Sequence, residues 1–310
     1  MKALADFIVS GRFQAILVAA LSGILAFLAP PWSTLLVYLG AASIALVTLR
    51  IGPSKGLQVL GIATLLTGLF YQLAGISAAA IAITLLMMWL PCWIASGVLW
   101  RTTRMALAML SGAGVGLVAL VLVYAIYGDP APWWFERLQQ LEEALEQSGL
   151  FTRDISVEAL MQDLSRLMTG VVLASLVLSA LSSMLLGRWW QALQVNPGGL
   201  RTEFNSLRLG QTTGLLTLGA MIFAQLASGS VRDMAAQAVM IMLVPYLFAG
   251  LAVIHGLVAG AGRGRGWLIA VYVALAILPQ STLLLAGGGL LDTWIDFRRR
   301  FGGGDAKPAE

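Results

Sequence analysis

Histidine and cysteine occur once each in the 310 residues, as His255 and Cys92, and charged side chains make up only 11% of the chain. A single cysteine excludes an internal disulfide, and one histidine with one cysteine cannot supply a Cys/His metal site. Acidic side chains are missing from the long apolar windows, which removes the usual basis for a proton relay of the chain's own. Paired carboxylates, a His-Glu-x-x-His pattern and a Gly-rich phosphate loop are missing too, so hydrolase or transferase chemistry has no residues to carry it. The chain is therefore expected not to be an enzyme, and to use no cofactor and no metal. Its basic residues raise the pI to about 9.5, but they are scattered at the ends of apolar windows and form no stripe interleaved with aromatics. Nucleic acid is not an expected partner.

What the chain has is apolar length. Hydrophobic residues reach 59% and mean hydropathy is +0.86, against a charged fraction far below the roughly 25% of soluble domains. Windows without a charged side chain run over 13–49, 56–100, 105–128, 167–187, 209–231, 234–262 and 266–291. At about 20 residues per crossing, the first two windows hold two helices each and the other five hold one each. The expected fold is all-α, a polytopic membrane helix bundle of nine hydrophobic segments with eight, or alternatively nine, crossings. Lipid bilayer is its first expected partner. The run after Lys2 and Arg12 lacks a small-x-small cleavage site and is read as a retained first helix.

One stretch breaks the apolar pattern and fixes the topology. Residues 128–166 hold eight of the fifteen acidic residues and three basic ones, a local net charge of −5 in a chain whose total is +4. Cytoplasmic loops collect Lys and Arg while translocated loops need not, so this stretch is expected outside, with both termini in the cytoplasm. Pro130 and the spacing of Trp134, Leu138, Leu141 and Leu145 predict an amphipathic helix, with Glu136, Gln139, Glu142, Glu143 and Glu146 on its polar face. Trp133, Trp134 and Phe135 suit the headgroup layer, which lays this helix along the outer surface as a solvated linker or a functional lid. A second helix over 156–168 is expected to run straight into the next apolar segment.

The resulting divisions are a five-helix membrane portion at 1–127, the acidic extracytoplasmic segment at 128–166, a second membrane portion at 167–291 and a cytoplasmic tail at 292–310. Residues 1–12 form an amphipathic entry, Pro30 and Pro31 turn the first hairpin, residues 75–77 turn the second, and the sixth segment is expected to end near Gly187. A turn-rich basic connector follows, through Asn196, Pro197, Gly198 and Arg208. Nine crossings would put Arg298, Arg299 and Arg300 outside, so one late segment is expected not to cross. The polar window 209–231 and the window 266–291, broken at Pro279 and Gln280, are the two choices.

Uncharged polar side chains are what remain for binding. Thr67, Tyr71 and Gln72 on the third helix, with Gln225, Tyr246, His255 and Gln280 in the C-terminal half, would form a pocket for a neutral small-molecule solute if they converged. Taken singly they are helix-to-helix ties, and His255, without an acidic neighbour in its window, reads as a hydrogen-bonded packing residue. Ala15 and Ala19 on the first helix have small-xxx-small spacing, which lets a second helix approach closely.

The order of apolar segments, the extramembrane stretch after the fifth, and the ending Gly289-Leu-Leu-Asp292-Thr-Trp294-Ile-Asp296-Phe297-Arg-Arg-Arg resemble the YybS-like bacterial membrane proteins, a domain of unknown function. That family is distantly similar to the substrate-binding S components of energy-coupling-factor transporters, in which an Ala-xxx-Ala face on the first helix docks a shared membrane partner. Ala15 and Ala19 match that face. The resemblance implies a solute-binding or permease-type subunit energised by a membrane protein partner. A scaffold or assembly factor that binds an outer partner through its acidic helices is the alternative.

Overall fold

The computed structural model describes residues 1–28, 32–147, 155–260, 266–278 and 280–301, and among these it is helical with no strand. Fourteen helices follow in order: α1 (Lys2–Val9), α2 (Arg12–Leu28), α3 (Ser33–Ile51), α4 (Pro53–Leu73), α5 (Ala78–Thr102), α6 (Met105–Tyr127), α7 (Ala131–Gln147), α8 (Ile155–Val195), α9 (Gly199–Asn205), α10 (Gln211–Leu226), α11 (Gly229–Gly260), α12 (Gly266–Ile277), α13 (Gln280–Ile295) and α14 (Phe297–Phe301). The expected turn at Pro30 and Pro31, the break at Gly149, Pro279 and the tail beyond residue 301 lie outside the described residues.

Five helices are long and apolar enough to cross a membrane: α4, α5, α6, α8 and α11, or six spans if α1 and α2, bent by 119° at residues 10–11, count as one. This fits a multi-pass all-α membrane protein and falls short of the nine expected segments. The reason is length. At 1.5 Å per residue, α10 and α13 reach only about 24 Å and α12 about 18 Å, against a hydrocarbon core of roughly 30 Å. Charge-free windows mark where helices run, not how far each runs unbroken. The window 266–291 is two helices, as its Pro-Gln break implied, and the polar window 209–231 is the short α10.

The chain divides into two units, residues 1–112, 176–211 and 243–310 in the first and 113–175 with 212–242 in the second. In the first unit, α2 packs on α3 and α4, and α5 packs on both of the latter. Small residues make this quartet possible. A Cβ on Gly23 would lie 2.8 Å from Thr67 Oγ1, and one on Gly40 would lie 2.8 Å from the ring of Trp89, which is fully buried between them. Gly52, at φ +124° and ψ 160°, makes the reversal from α3 to α4 in a conformation that only glycine adopts readily. Pro91 sits inside continuous α5 and Pro245 inside continuous α11.

Gly187 does not end a helix. α8 continues through it and Arg188 to Val195, and the supposed connector shrinks to residues 196–198 before α9. Gly187 lies against α3, where a Cβ would meet that of Ala45 at 2.6 Å and the Ala42 carbonyl oxygen at 2.9 Å. It permits close approach rather than a stop. The C-terminal ending is also more than a positive flank. Asp292, 2% exposed within α13, pairs with Arg298 Nη2 at 2.6 Å and accepts the Phe297 amide on its other oxygen at 2.9 Å. Arg208 reaches Asp296 Oδ2 at 2.9 Å and the Asp292 carbonyl at 3.2 Å, while Arg298 also donates to the carbonyls of Asn205 and Leu207. Asp296 takes φ 52°, which turns α13 into α14 and brings Arg298 back over Asp292.

In the second unit Asp129 accepts the Ala131 amide at 2.9 Å and starts α7, whose Trp134 Nε1 donates to Thr169 Oγ1 of α8 at 2.8 Å. The apolar face of α7 departs from the expected one at its centre: Leu141 is 56% exposed and Glu142 is 6% exposed. Gln237 of α11 is buried where α8 comes closest, at Gly170, and its amide donates to Tyr124 Oη at 3.1 Å and to the Arg166 carbonyl at 2.6 Å.

Candidate functional site

The polar residues nominated from sequence do not converge. Thr67 and Tyr71, one turn apart on α4, donate to the carbonyls of Ala20 (3.3 Å) and Ile24 of α2, and the Tyr71 ring meets Phe27 and Phe70 edge-on at 5.3 Å each. Both are buried ties between helices. Gln72 is exposed and accepts the Ala78 amide at 3.1 Å, capping the start of α5. Gln225 is exposed on α10 and Gln280 at the head of α13, while Tyr246 is fully buried on α11. Tyr246 stands where α11 meets α13, its own carbonyl lying against Gly289.

Ala15 and Ala19 are buried as well, at 1% and 0% exposure. Ala15 faces Val47 of α3 and Val59 of α4 across a small crevice. Their close-approach surface is thus used by the chain's own helices, and a partner helix has no free access to it. Spacing showed that this face is small; it did not show which helix fills it.

His255 is the nominated residue that lines a sizeable cavity. The cavity holds about 910 Å³ and its apolar walls come from Leu185, Trp189 and Leu193 of α8, Val258 of α11, and Leu268 and Ile269 of α12. This is within the range of small-molecule sites. His255 Nε2 lies 3.0 Å from Tyr272 Oη, and its ring stands edge-on to Phe204 of α9 with centroids 5.8 Å apart. Arg201 and Asn205, one turn apart on α9, complete the polar side.

Two features of this wall leave polar groups available to a ligand. Arg188 is paired with Glu203 and Arg298 with Asp292, whereas no carboxylate pairs with Arg201 among the described residues. Asn205 Oδ1 is buried with no hydrogen-bond partner among the described residues, although the main-chain carbonyl of the same residue is engaged by Arg298. A guanidinium that offers five donors, an imidazole–phenol pair and a free amide oxygen can together hold a polar group of either donor or acceptor type. No group of three or more His, Cys, Asp or Glu side chains forms a metal cage among the described residues. Arg201, Asn205 and Tyr272 were not marked in the sequence. The legible signal was the reversal at Asn196-Pro-Gly-Gly199, which folds α9 back beside α8 and places its cation there. Family models, curated proteins and solved structures yield no match to the chain.

Proposed function

We propose that the chain is a multi-pass bacterial inner-membrane protein whose Arg201–His255–Tyr272 cavity binds a small amphipathic solute, as the solute-binding or permease-type subunit of a partner-energised transporter. The carrying observation is a roughly 910 Å³ apolar cavity edged by a cation without a carboxylate partner among the described residues. That cation changes the expected solute from neutral to one bearing an acceptor or negative group. Dependence on a partner follows from the scarcity of free acids: Asp292, inside α13, is already held by Arg298. The resemblance to the YybS-like family, and through it to S components, supports the same reading. Docking of the partner through Ala15 and Ala19 is not retained, since both are covered.

The test is thermal stabilisation of the detergent-purified protein by a panel of apolar-bodied organic anions and their neutral analogues. Saturating ligand at 100 times Kd adds about 2.7 kcal/mol. An anion that stabilises wild type and loses its effect in Arg201→Gln supports the proposal. A panel without effect on wild type, or one equally effective on Arg201→Gln, overturns it.

The scaffold reading is favoured by one observation, the exposure of Trp133 (51%) and Leu141 (56%) on the same acidic helix α7. It predicts that a Trp133→Ser, Leu141→Ser double variant loses a co-purifying partner with its fold intact. Placement of the acidic segment outside is tested in a Cys92→Ser background with single cysteines at Glu143 and Arg300. An impermeant thiol reagent on intact cells should label the first alone; labelling of Arg300→Cys alone would reverse the topology.

A further inference from the structure

A crevice of about 160 Å³ opens between the first turns of α2 and α4, beside the carboxyl end of α3. Its inner wall is apolar and buried, from Ala15, Val47 and Val59. Its outer walls are cationic, with Arg12 on α2, Lys55 on α4 and the exposed amide of Gln58 one turn beyond Lys55. Helix register explains why both charges meet here. Thr67 donates to the Ala20 carbonyl and Tyr71 to that of Ile24, so four residues along α4 match four along α2. The two helices therefore run parallel, and their amino ends open on the same side.

The chain itself leaves this charge unanswered. The first 128 residues hold six basic side chains and one acidic, Asp6. Asp6 accepts the side-chain amide of Gln194 at 2.9 Å, and no carboxylate pairs with Arg12 or Lys55 among the described residues. Neither α2 nor α4 has an acidic residue in its first turn, so the partial positive charge of two helix amino ends adds to that of the side chains. The opposite pole, at the end of α3, is met within the chain by Arg50 in the last turn and by the Gly52 amide, which donates to the Thr48 carbonyl at 3.1 Å.

Depth and size narrow the ligand. Lys55 stands in the first turn of α4, a 21-residue helix long and apolar enough to cross a membrane, which puts the crevice at headgroup level. Pockets that enclose a whole ligand hold roughly 300–1,000 Å³, so this smaller one seats a headgroup and leaves the rest of the molecule outside. Beyond it, Ile62, Leu66, Leu69 and Leu73 form an exposed apolar strip along one face of α4.

We propose that this crevice binds an anionic glycerophospholipid, its phosphodiester held between the Arg12 guanidinium and the Lys55 ammonium and one acyl chain lying along the α4 strip. Arginine forks two N–H donors onto phosphate oxygens, lysine adds a compact charge, and basic pockets between membrane helices are suited to anionic headgroups. A zwitterionic headgroup brings an ammonium of its own, for which the crevice has no carboxylate, and is selected against. The site is separate from the Arg201 cavity; it rests on α4 crossing a bilayer and not on the solute reading.

The experiment uses the full chain, delipidated in detergent and titrated with dioleoylphosphatidylglycerol or dioleoylphosphatidylcholine under native mass spectrometry. Inorganic phosphate at millimolar concentration is tested beside phosphatidylglycerol for its effect on the thermal midpoint. Phosphatidylglycerol should bind saturably, one to one, at least tenfold tighter than phosphatidylcholine, and should raise the midpoint where inorganic phosphate, with no hold on the α4 strip, does not. The Arg12→Gln, Lys55→Gln double variant should cut the lipid preference below threefold. Gln58→Glu, which sets a carboxylate on the same wall with little change of shape, should weaken phosphatidylglycerol at least fivefold and supplies the reading if the double variant does not fold. Arg101→Gln with Arg104→Gln, two exposed cations outside the crevice, should keep the preference. Equal affinity for the two lipids, stabilisation by inorganic phosphate equal to that by phosphatidylglycerol, a preference unchanged in a folded crevice variant, or its equal loss in the Arg101, Arg104 variant would each overturn the proposal.

Discussion

In the α2–α5 quartet, Thr67, Tyr71, Trp89 and Trp93 each donate to a main-chain carbonyl of a neighbouring helix or its first turn: those of Ala20, Ile24, Val37 and Pro53. Around α8 and α9, Ser183, Trp190 and the Asn205 side-chain oxygen are equally hidden from solvent yet meet no partner among the described residues, and each belongs to a residue that borders a cavity. Thr64 of α4 is the quartet's exception, and Gln194 Oε1 of α8, which has no partner among the described residues and belongs to a residue bordering neither of those cavities, is the exception on the other side. The contrast separates two uses of polarity in an apolar chain. A donor that closes on a neighbouring helix fixes register; a polar group left open beside a cavity is available to a ligand. Burial alone does not tell the two apart.

Substitutions can break or sharpen this contrast. The largest loss is expected from Asp292→Ala, which leaves Arg298 without its carboxylate in a nearly closed site; removing one partner of a buried pair costs about 3–5 kcal/mol, read as a lower midpoint in thermal denaturation in detergent. Gly187→Leu comes next. Its side chain must displace the α3 backbone near Ala42 and Ala45, at a cost of about 1–3 kcal/mol and a reduced monodisperse yield on size exclusion. Tyr71→Phe removes a single interhelical bond, a loss of about 0.6–1.7 kcal/mol on the same denaturation scale. Ser183→Ala, which removes no bond among the described residues, should leave the midpoint unchanged or slightly raised. Equal losses for Tyr71→Phe and Ser183→Ala would erase the distinction.

Much of the fold was readable from charge and apolar length. The amphipathic entry became α1, the second hairpin turns between Leu73 and Ala78 as expected, and the acidic stretch supplies α7 and the start of α8 without a break into the next apolar segment. The misreadings share a physical cause, which is that they depend on what lies across the interface. Gly187 resembles a helix stop until α3 is seen against it, and Ala15 and Ala19 resemble an open docking face until α3 and α4 cover them. Leu141 and Glu142 exchange their expected environments because helical spacing assigns two faces without saying which one meets the protein. The Asp292–Arg298 pair is six residues apart, outside helical neighbour spacing, and exists only because Asp296 turns the chain. Of the nominated site residues, His255 reaches a large cavity; its companions there come from α9, whose position depends on the reversal at residues 196–198.

The distinction between tying and binding groups is tested most directly by comparing ligand retention with stability in two pairs of variants, Arg201→Gln and His255→Gln against Thr67→Val and Tyr71→Phe. Each protein is purified in mild detergent, its bound small molecules are identified by mass spectrometry, and its thermal midpoint is recorded. The cavity pair should lose a small molecule that wild type retains and match the midpoint of wild type stripped of that molecule, while the quartet pair should keep the molecule and melt lower. The opposite pattern, or loss of both properties together in all four variants, would contradict the assignment of these residues to separate roles.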